Sequence, residues 1–259
     1  MIRRRISTCC FFFYRQAIDD YDFELYDFNS VDTHRHLIRV NRYIHNELLN
    51  EGISLSSEKV AELAARLRLY GPKAPFEGGE VDSRMIESLG QYELYRHIIN
   101  NKASLSSLHD IKDLHALLYK YAPHGETAGT FRNMNAIING SDVDLIDAKE
   151  VHKEFFFLER KFQENYTKLI DTPNSSFIEF AVKTHYEIVK LHPFQDGNGR
   201  TARAFMNMLF MKKSIPFIFF LNKDKVYYLN SLKAIDNYDD PTSLFIQVYR
   251  TILLALAEQ

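Results

Sequence analysis

Cysteine is almost missing from this chain. There are two, Cys9 and Cys10, and they are neighbours. Adjacent cysteines rarely close a relaxed disulfide, and no partner stands nearby at zinc-ligand spacing, so both are read as reduced thiols and the chain as cytoplasmic. A basic surplus is lacking too. Lys plus Arg number 32 against 34 Asp plus Glu, for a formal net charge of −2, which argues against a nucleic-acid partner. No apolar run approaches the length of a bilayer span, so no membrane partner is expected. The start, Met1 to Arg5 followed by Thr8 to Tyr14, has the outline of a signal peptide. Arg15 stops its apolar run early, however, and no small-residue cleavage site follows. Delivery by a secretion system that reads other signals stays open. Repeats, low-complexity tracts, a P-loop and alternating strand–helix patterning are all missing, which disfavours a doubly wound nucleotide fold.

What is present suits an enzyme with a sizeable core. Apolar residues make up 46% of the 259 positions, aromatics 14% and charged residues 25%. Residues 1–32 mix aromatics and acids without clear periodicity and read as a loosely packed lead-in. Helical spacing then sets in over Thr33–Leu49, through Leu37, Ile38, Val40, Ile44, Leu48 and Leu49. Ser57 offers an N-cap for a helix to Tyr70, which Gly71-Pro72 ends. Those amphipathic helices suit either a homodimer interface or packing on the core. Further helices are expected over Asp82–Asn100, from Ser106 or Ser107, over Ala148–Leu169, from Ser175 or Ser176 to Leu191, over Thr201–Lys212, over Lys223–Asn237 and over Pro241–Leu256. Between Pro123 and Asp147, Gly125, Gly129 and Gly140 flank Ala136-Ile137-Ile138, which reads as a short β-hairpin or irregular flap. The fold class is therefore mainly α with one small β element. The expected organisation is a lead-in (1–32), an N-terminal helical region (33–76) and a catalytic domain (77–259).

The richest stretch is His192-Pro-Phe-Gln-Asp-Gly-Asn-Gly-Arg-Thr-Ala-Arg203. Glycines at 197 and 199 let backbone approach a ligand closely. Their N–H groups, at the start of a helix, form an anion-binding concavity suited to phosphate. Arg200 and Arg203, three apart, share one side of that helix and offer planar forks for phosphate oxygens. They could be merely solvated, but cations in a first helical turn oppose the helix dipole, by roughly 0.3–1 kcal/mol each, which favours an anionic partner. A bare carboxylate at Asp196 would repel phosphate unless a cation such as Mg²⁺ lay between them; capping the turn is a compatible second role. A histidine by itself is more often structural. His192, four residues before Asp196 and at a helix end, reads as a base.

The twelve residues match the HPFx[D/E]GNGRxxR signature of the Fic family, a chance match of order one in 10¹¹ per starting position. Weaker similarity surrounds it. Thr184-His185-Tyr186 and Ile188 to Leu191 resemble the family's helix into the loop. Gly129-Thr130-Phe131-Arg132 resembles the opening of its flap, and Ile137-Ile138-Asn139-Gly140 the flap itself. Tyr228, followed by Leu232, resembles the helix that helps form the adenine pocket; Asp236 stands where the family commonly has asparagine. The resemblance implies a helical Fic fold and a protein adenylyltransferase. His192 would take the proton of a Tyr, Thr or Ser hydroxyl on a target protein, and that oxygen would attack the α-phosphate of ATP. Mg²⁺ at Asp196, with Arg200 and Arg203, would neutralise the leaving pyrophosphate. Gly197, Asn198 and Gly199 would stabilise charge on the phosphates, and the flap would position the target.

Many Fic proteins are restrained by a glutamate in the motif [S/T]xxxE[G/N], which bonds the second arginine. Glu77-Gly78 fits the last two positions, although Lys73 occupies the first and Pro75 would disturb a helix. Glu77 paired with Arg203 is the expected brake. Removal of AMP from a modified protein, or transfer of another phosphate-containing group, is the alternative reaction on the same fold. A nucleotide-binding regulator without chemistry is the non-enzymatic reading, and the presence of both His192 and Asp196 speaks against it.

Overall fold

A computed structural model describes residues 2–23, 33–71, 82–100, 107–122, 127–137 and 144–257. Ten helices run through these residues: α1 (Ile2–Asp19), α2 (Thr33–Asn50), α3 (Ser57–Tyr70), α4 (Ser83–Asn100), α5 (Asp110–Leu118), α6 (Val151–Leu169), α7 (Asn174–Leu191), α8 (Asn198–Lys212), α9 (Lys225–Tyr238) and α10 (Thr242–Ala257). A 3₁₀ turn at Ala148–Glu150 leads into α6.

Helix α8 is the hub. Residues on every side of it are buried, including Ala202, Ala204, Phe205, Met206, Leu209 and Phe210, the mark of a helix enclosed by its neighbours. It packs against α7, α5 and α4. Helix α4 reaches α5 very closely at Gly90, where an added Cβ would lie 2.0 Å from the Leu118 carbonyl oxygen. One apolar cluster runs from Ile18 to Leu256, so the segments before and after residue 77 share a core.

The opening segment is not the loose lead-in that its composition suggests. It forms α1, docked on α10 and α7. Asp19 accepts hydrogen bonds from the Ser175 backbone N–H (2.8 Å) and hydroxyl (2.7 Å). That places a carboxylate at the positive end of α7, a favourable contact with the helix dipole. Phe11 packs on Phe245 and Tyr249 of α10. Aromatics spaced by docking rather than by a clean stripe hid this helix from the periodicity.

Helix α2 is held by polar ties that no apolar spacing reports. Arg39 donates to the Phe217 carbonyl (2.6 Å), Asn50 to the Phe220 carbonyl (3.1 Å), and Asn46 accepts from the Asn222 N–H (3.1 Å). The Tyr43 hydroxyl donates to Gln91 of α4 at 2.7 Å. With these contacts fixed, the last turn of α2 directs Glu47, and the turn after it Glu51, toward Arg203 of α8.

The hairpin flap is not found among the described residues, where no strand occurs. Residues 133–137 and 144–147 are irregular backbone, and their ends are secured by side chains instead of a ladder. Arg132 donates to the carbonyls of Met134 (3.3 Å) and Ile146 (2.6 Å), and Asn135 accepts from the Ala148 N–H (2.8 Å). Ile137 is 87% exposed. Ile138, Asn139 and Gly140 lie outside the described residues.

Candidate active site

The site forms where α7 ends and α8 begins. His192 caps α7 in the left-handed region (φ 50°, ψ 59°), turning the chain sharply. Phe194 is fully buried and stacked on the His115 ring at 3.9 Å. Asn198 closes the loop: its side chain accepts from the Phe194 N–H and donates to the Phe194 carbonyl, both at 2.8 Å. The Asn198 side chain is thereby committed to shaping the loop. Gly197 has φ 72°, and an added Cβ would sit 2.8 Å from the Tyr119 ring. Helix α8 starts at Asn198, three residues earlier than its apolar pattern suggests, so Gly199 and Arg200 already belong to its first turn.

His192 has its Nδ1 buried, which leaves Nε2 as the nitrogen that can meet a substrate. Burial pulls its pKa below the ordinary histidine value; the Val189 backbone opposes this, Arg132 adds to it and Asp196 opposes it. The ring is therefore neutral at pH 7, the form a base needs. Its carbonyl accepts from Arg132 Nε at 2.8 Å, and the Arg132 N–H donates to the Pro193 carbonyl at 2.8 Å. Arg132 thus ties His192 to both of the irregular segments, 133–137 and 144–147.

The Asp196 side chain is 73% exposed. One oxygen accepts from the Gly197 N–H at 2.6 Å, and the other lies 3.5 Å from Arg200 Nη2. Partial desolvation raises its pKa, but Arg200, the Gly197 N–H and Tyr119 outweigh that and hold it below the usual carboxylate value. Among the described residues no cluster of three metal-ligating side chains occurs. A single ionised, accessible carboxylate suits Mg²⁺, which takes one or two carboxylates and completes its shell with phosphate and water.

The two arginines are neither solvated nor open to an anion. Arg203 is held by Glu47, with Nε 3.1 Å from both carboxylate oxygens and Nη2 2.6 Å from one. Glu51 adds a contact at 3.3 Å. Arg200 pairs with Glu87 of α4, lies 3.8 Å from Glu51, and donates to the Tyr119 hydroxyl at 3.0 Å. Burial lowers the Arg203 pKa, and Glu47, Tyr228 and Glu51 more than restore it. Burial raises the pKa of Glu87, and Arg200 counters in part.

Glu77 lies outside the described residues. Among the described residues, the carboxylates on Arg203 are Glu47 and Glu51, 156 and 152 positions away in sequence. Glu51-Gly52 fits the last two positions of [S/T]xxxE[G/N] as well as Glu77-Gly78 does, with Glu47 at the first. The signal was available, but the stretch reads first as the end of an amphipathic helix. His115, Arg132 and Glu87 were also missed as site residues, because the first is on an apolar helix face and the others are far from the motif in sequence. Tyr228 is buried with its ring stacked on Phe220, its hydroxyl 2.9 Å from His185 Nε2 and its face 5.9 Å from the Arg203 guanidinium.

A Fic/DOC family profile matches residues 105–210. Over 62 residues, 24% of this chain, the sequence is 42% identical to a protein adenylyltransferase Fic of Nematostella vectensis and 37% identical to the protein of that name in Drosophila melanogaster. The aligned stretch spans only 14% and 13% of the lengths of those relatives. A Fic domain-containing signaling protein from Bacteroides thetaiotaomicron has the same fold, with a TM-score of 0.72 at 18% identity and 94% of each chain covered. Fic-1 of C. elegans superposes with a TM-score of 0.71 at 20% identity, covering 99% of this chain and 72% of that one. The stretch of residues 105–210 that matches the Fic/DOC family profile contains the whole twelve-residue motif, and the helical fold is similar to that of these Fic structures.

Proposed function

We propose that this chain is a protein adenylyltransferase that moves AMP from ATP to a Tyr, Thr or Ser hydroxyl of a target protein. The observation that carries the reading is the left-handed turn that sets neutral His192 beside the glycine-bracketed start of α8. His192 Nε2 accepts the hydroxyl proton as the oxygen bonds the α-phosphorus. The bond from that phosphorus to the bridging oxygen breaks, and pyrophosphate leaves with the electron pair. The Gly197, Asn198 and Gly199 backbone, at the positive end of α8, receives phosphate charge. Arg200 and Arg203 bind the outer phosphates once their carboxylate partners withdraw. Asp196 would hold Mg²⁺, which supplies charge neutralisation for the leaving group. Ile137 to Gly140 would lie along the target's backbone and fix its hydroxyl, and Tyr228 marks the adenine end of the nucleotide.

The protein at rest is restrained. Glu47 and Glu51 occupy the fork that the outer phosphates need, so ATP binds productively only when they give way. This support for restraint rests on the Arg203 contacts and does not involve Glu77.

The test is incubation with Mg²⁺ and ATP labelled at either the α or the γ phosphate, comparing wild type with His192→Ala. Label retained on protein from α-ATP alone, and lost in His192→Ala, is the expected result. Label from γ-ATP would point to phosphate transfer and reject the reading.

A further inference from the structure

His115 is buried on α5, and its ring nitrogens face two different loops. Nδ1 accepts from the Gly129 N–H at 2.8 Å. Nε2 lies 3.1 Å from the Asp196 carbonyl oxygen. A carbonyl can only accept and an N–H can only donate, so the two partners fix the tautomer: the hydrogen is on Nε2. The ring also stacks on Phe194. One side chain therefore joins the segment at Gly129 to the peptide between Asp196 and Gly197.

That peptide matters for the chemistry above. Its carbonyl is drawn toward α5, so its N–H points the opposite way, where it meets the Asp196 carboxylate at 2.6 Å. Rotating the peptide would move the carboxylate and the first donor of the phosphate nest together. The geometry points to His115 as a positioning residue, which sets Asp196 and the Gly197 N–H where they would meet Mg²⁺ and the nucleotide phosphates, and couples them to the segment at Gly129. This inference rests on the adenylyltransferase reading for what the site binds, but not for the contact itself. Groups that support a metal ligand from outside typically cost 10–100-fold in metal affinity when removed.

The experiment compares wild type, His115→Gln and His115→Phe. Glutamine keeps one donor and one acceptor; phenylalanine keeps the stacking on Phe194 and removes both hydrogen bonds. Amide hydrogen exchange of residues 127–132 and 195–199 is followed first, since it needs no catalysis. Protection at Gly129 should fall in His115→Phe and return in His115→Gln. The Mg²⁺ concentration for half-maximal label transfer should rise about 10-fold or more in His115→Phe, with a smaller loss of rate at saturating Mg²⁺ and recovery in His115→Gln. Unchanged Gly129 protection and unchanged Mg²⁺ dependence in a folded His115→Phe protein would overturn the inference. Should that variant not fold, ¹⁵N NMR of the wild-type ring decides: an Nε2–H tautomer supports the inference and an Nδ1–H tautomer overturns it. If wild type transfers no label at all, the adenylyltransferase reading has failed, while the exchange and tautomer results still judge the contact.

Discussion

Removing charge from Glu47 is the perturbation whose effect is easiest to size. Glu47 is 2% exposed and meets Arg203 through three contacts of 2.6–3.1 Å. Glu51 is a third exposed and meets the same guanidinium once, at 3.3 Å. Deleting one partner of a buried pair costs about 3–5 kcal/mol, whereas an exposed pair is worth about 0–1 kcal/mol. Glu47→Gln keeps the shape and one acceptor, and Glu51 remains, so the expected loss is about 2–3 kcal/mol, at or just below the bottom of that range. For a chain of this size that lowers Tm by roughly 4–12 °C. The same free energy now favours any anion that replaces the carboxylate, so ATP–Mg²⁺ binding should tighten about 30–150-fold. Glu51→Gly, losing a weaker contact, should tighten it several-fold and cost little stability. Thermal melts with and without nucleotide, alongside label transfer from α-labelled ATP, report both quantities. The reasoning fails if Glu47→Gln leaves Tm, nucleotide affinity and transfer unchanged while Glu51→Gly alone gives full activity.

Further expectations follow from the same geometry. Gly197→Ala places a Cβ 2.8 Å from the Tyr119 ring at a φ of 72°; left-handed strain of about 1–2 kcal/mol plus overpacking of about 1–3 kcal/mol should lower Tm and weaken nucleotide binding together. Gly90→Ala would drive a Cβ into the Leu118 carbonyl, so α4 and α5 must separate, and a loss of several kcal/mol is expected in urea melts. His185 is buried with its pKa lowered to about 3, by burial first and Arg203 second. Its folded value lies below the unfolded value of about 6.5, so the unfolded chain binds the extra proton. Stability from this group is complete above about pH 6.5 and falls by about 1.4 kcal/mol per pH unit below it. His185→Gln should flatten the stability profile between pH 6.5 and 4 by one proton; an unchanged slope there would show that His185 is not the group responsible.

The helices were largely legible from apolar spacing. Helix α3 ends at Tyr70 with Gly71 as its C-cap, as read, although Ser56 and not Ser57 supplies the N-cap. Helix α8 starts earlier than its apolar pattern suggests because asparagine and glycine at its start look like loop residues, while the Asn198 side chain's bonds to the Phe194 backbone and the Thr201 N–H to Gly197 carbonyl bond (2.9 Å) draw them into the first helical turn. The motif itself announced His192, Asp196 and the glycine turn. It could not announce what holds Arg200 and Arg203, since Glu87, Glu47 and Glu51 reach them across 113 to 156 positions. Pairing at that range is set by the packing of α4 on α8 and of α2 on α4, which no local pattern encodes. His115 was hidden for a related reason: on α5 it counts as one more apolar-face residue until Gly129 and Asp196 converge on it.

The most direct test of the account is intact-mass analysis of the Glu47→Gln/Glu51→Gly protein after incubation with ATP and Mg²⁺, followed by peptide mapping, with His192→Ala added in the same background as control. The account predicts a mass gain of one adenylyl group on a Tyr, Thr or Ser hydroxyl, absent when His192 is replaced. A gain matching phosphate, or no gain while the nucleotide demonstrably binds, would contradict it.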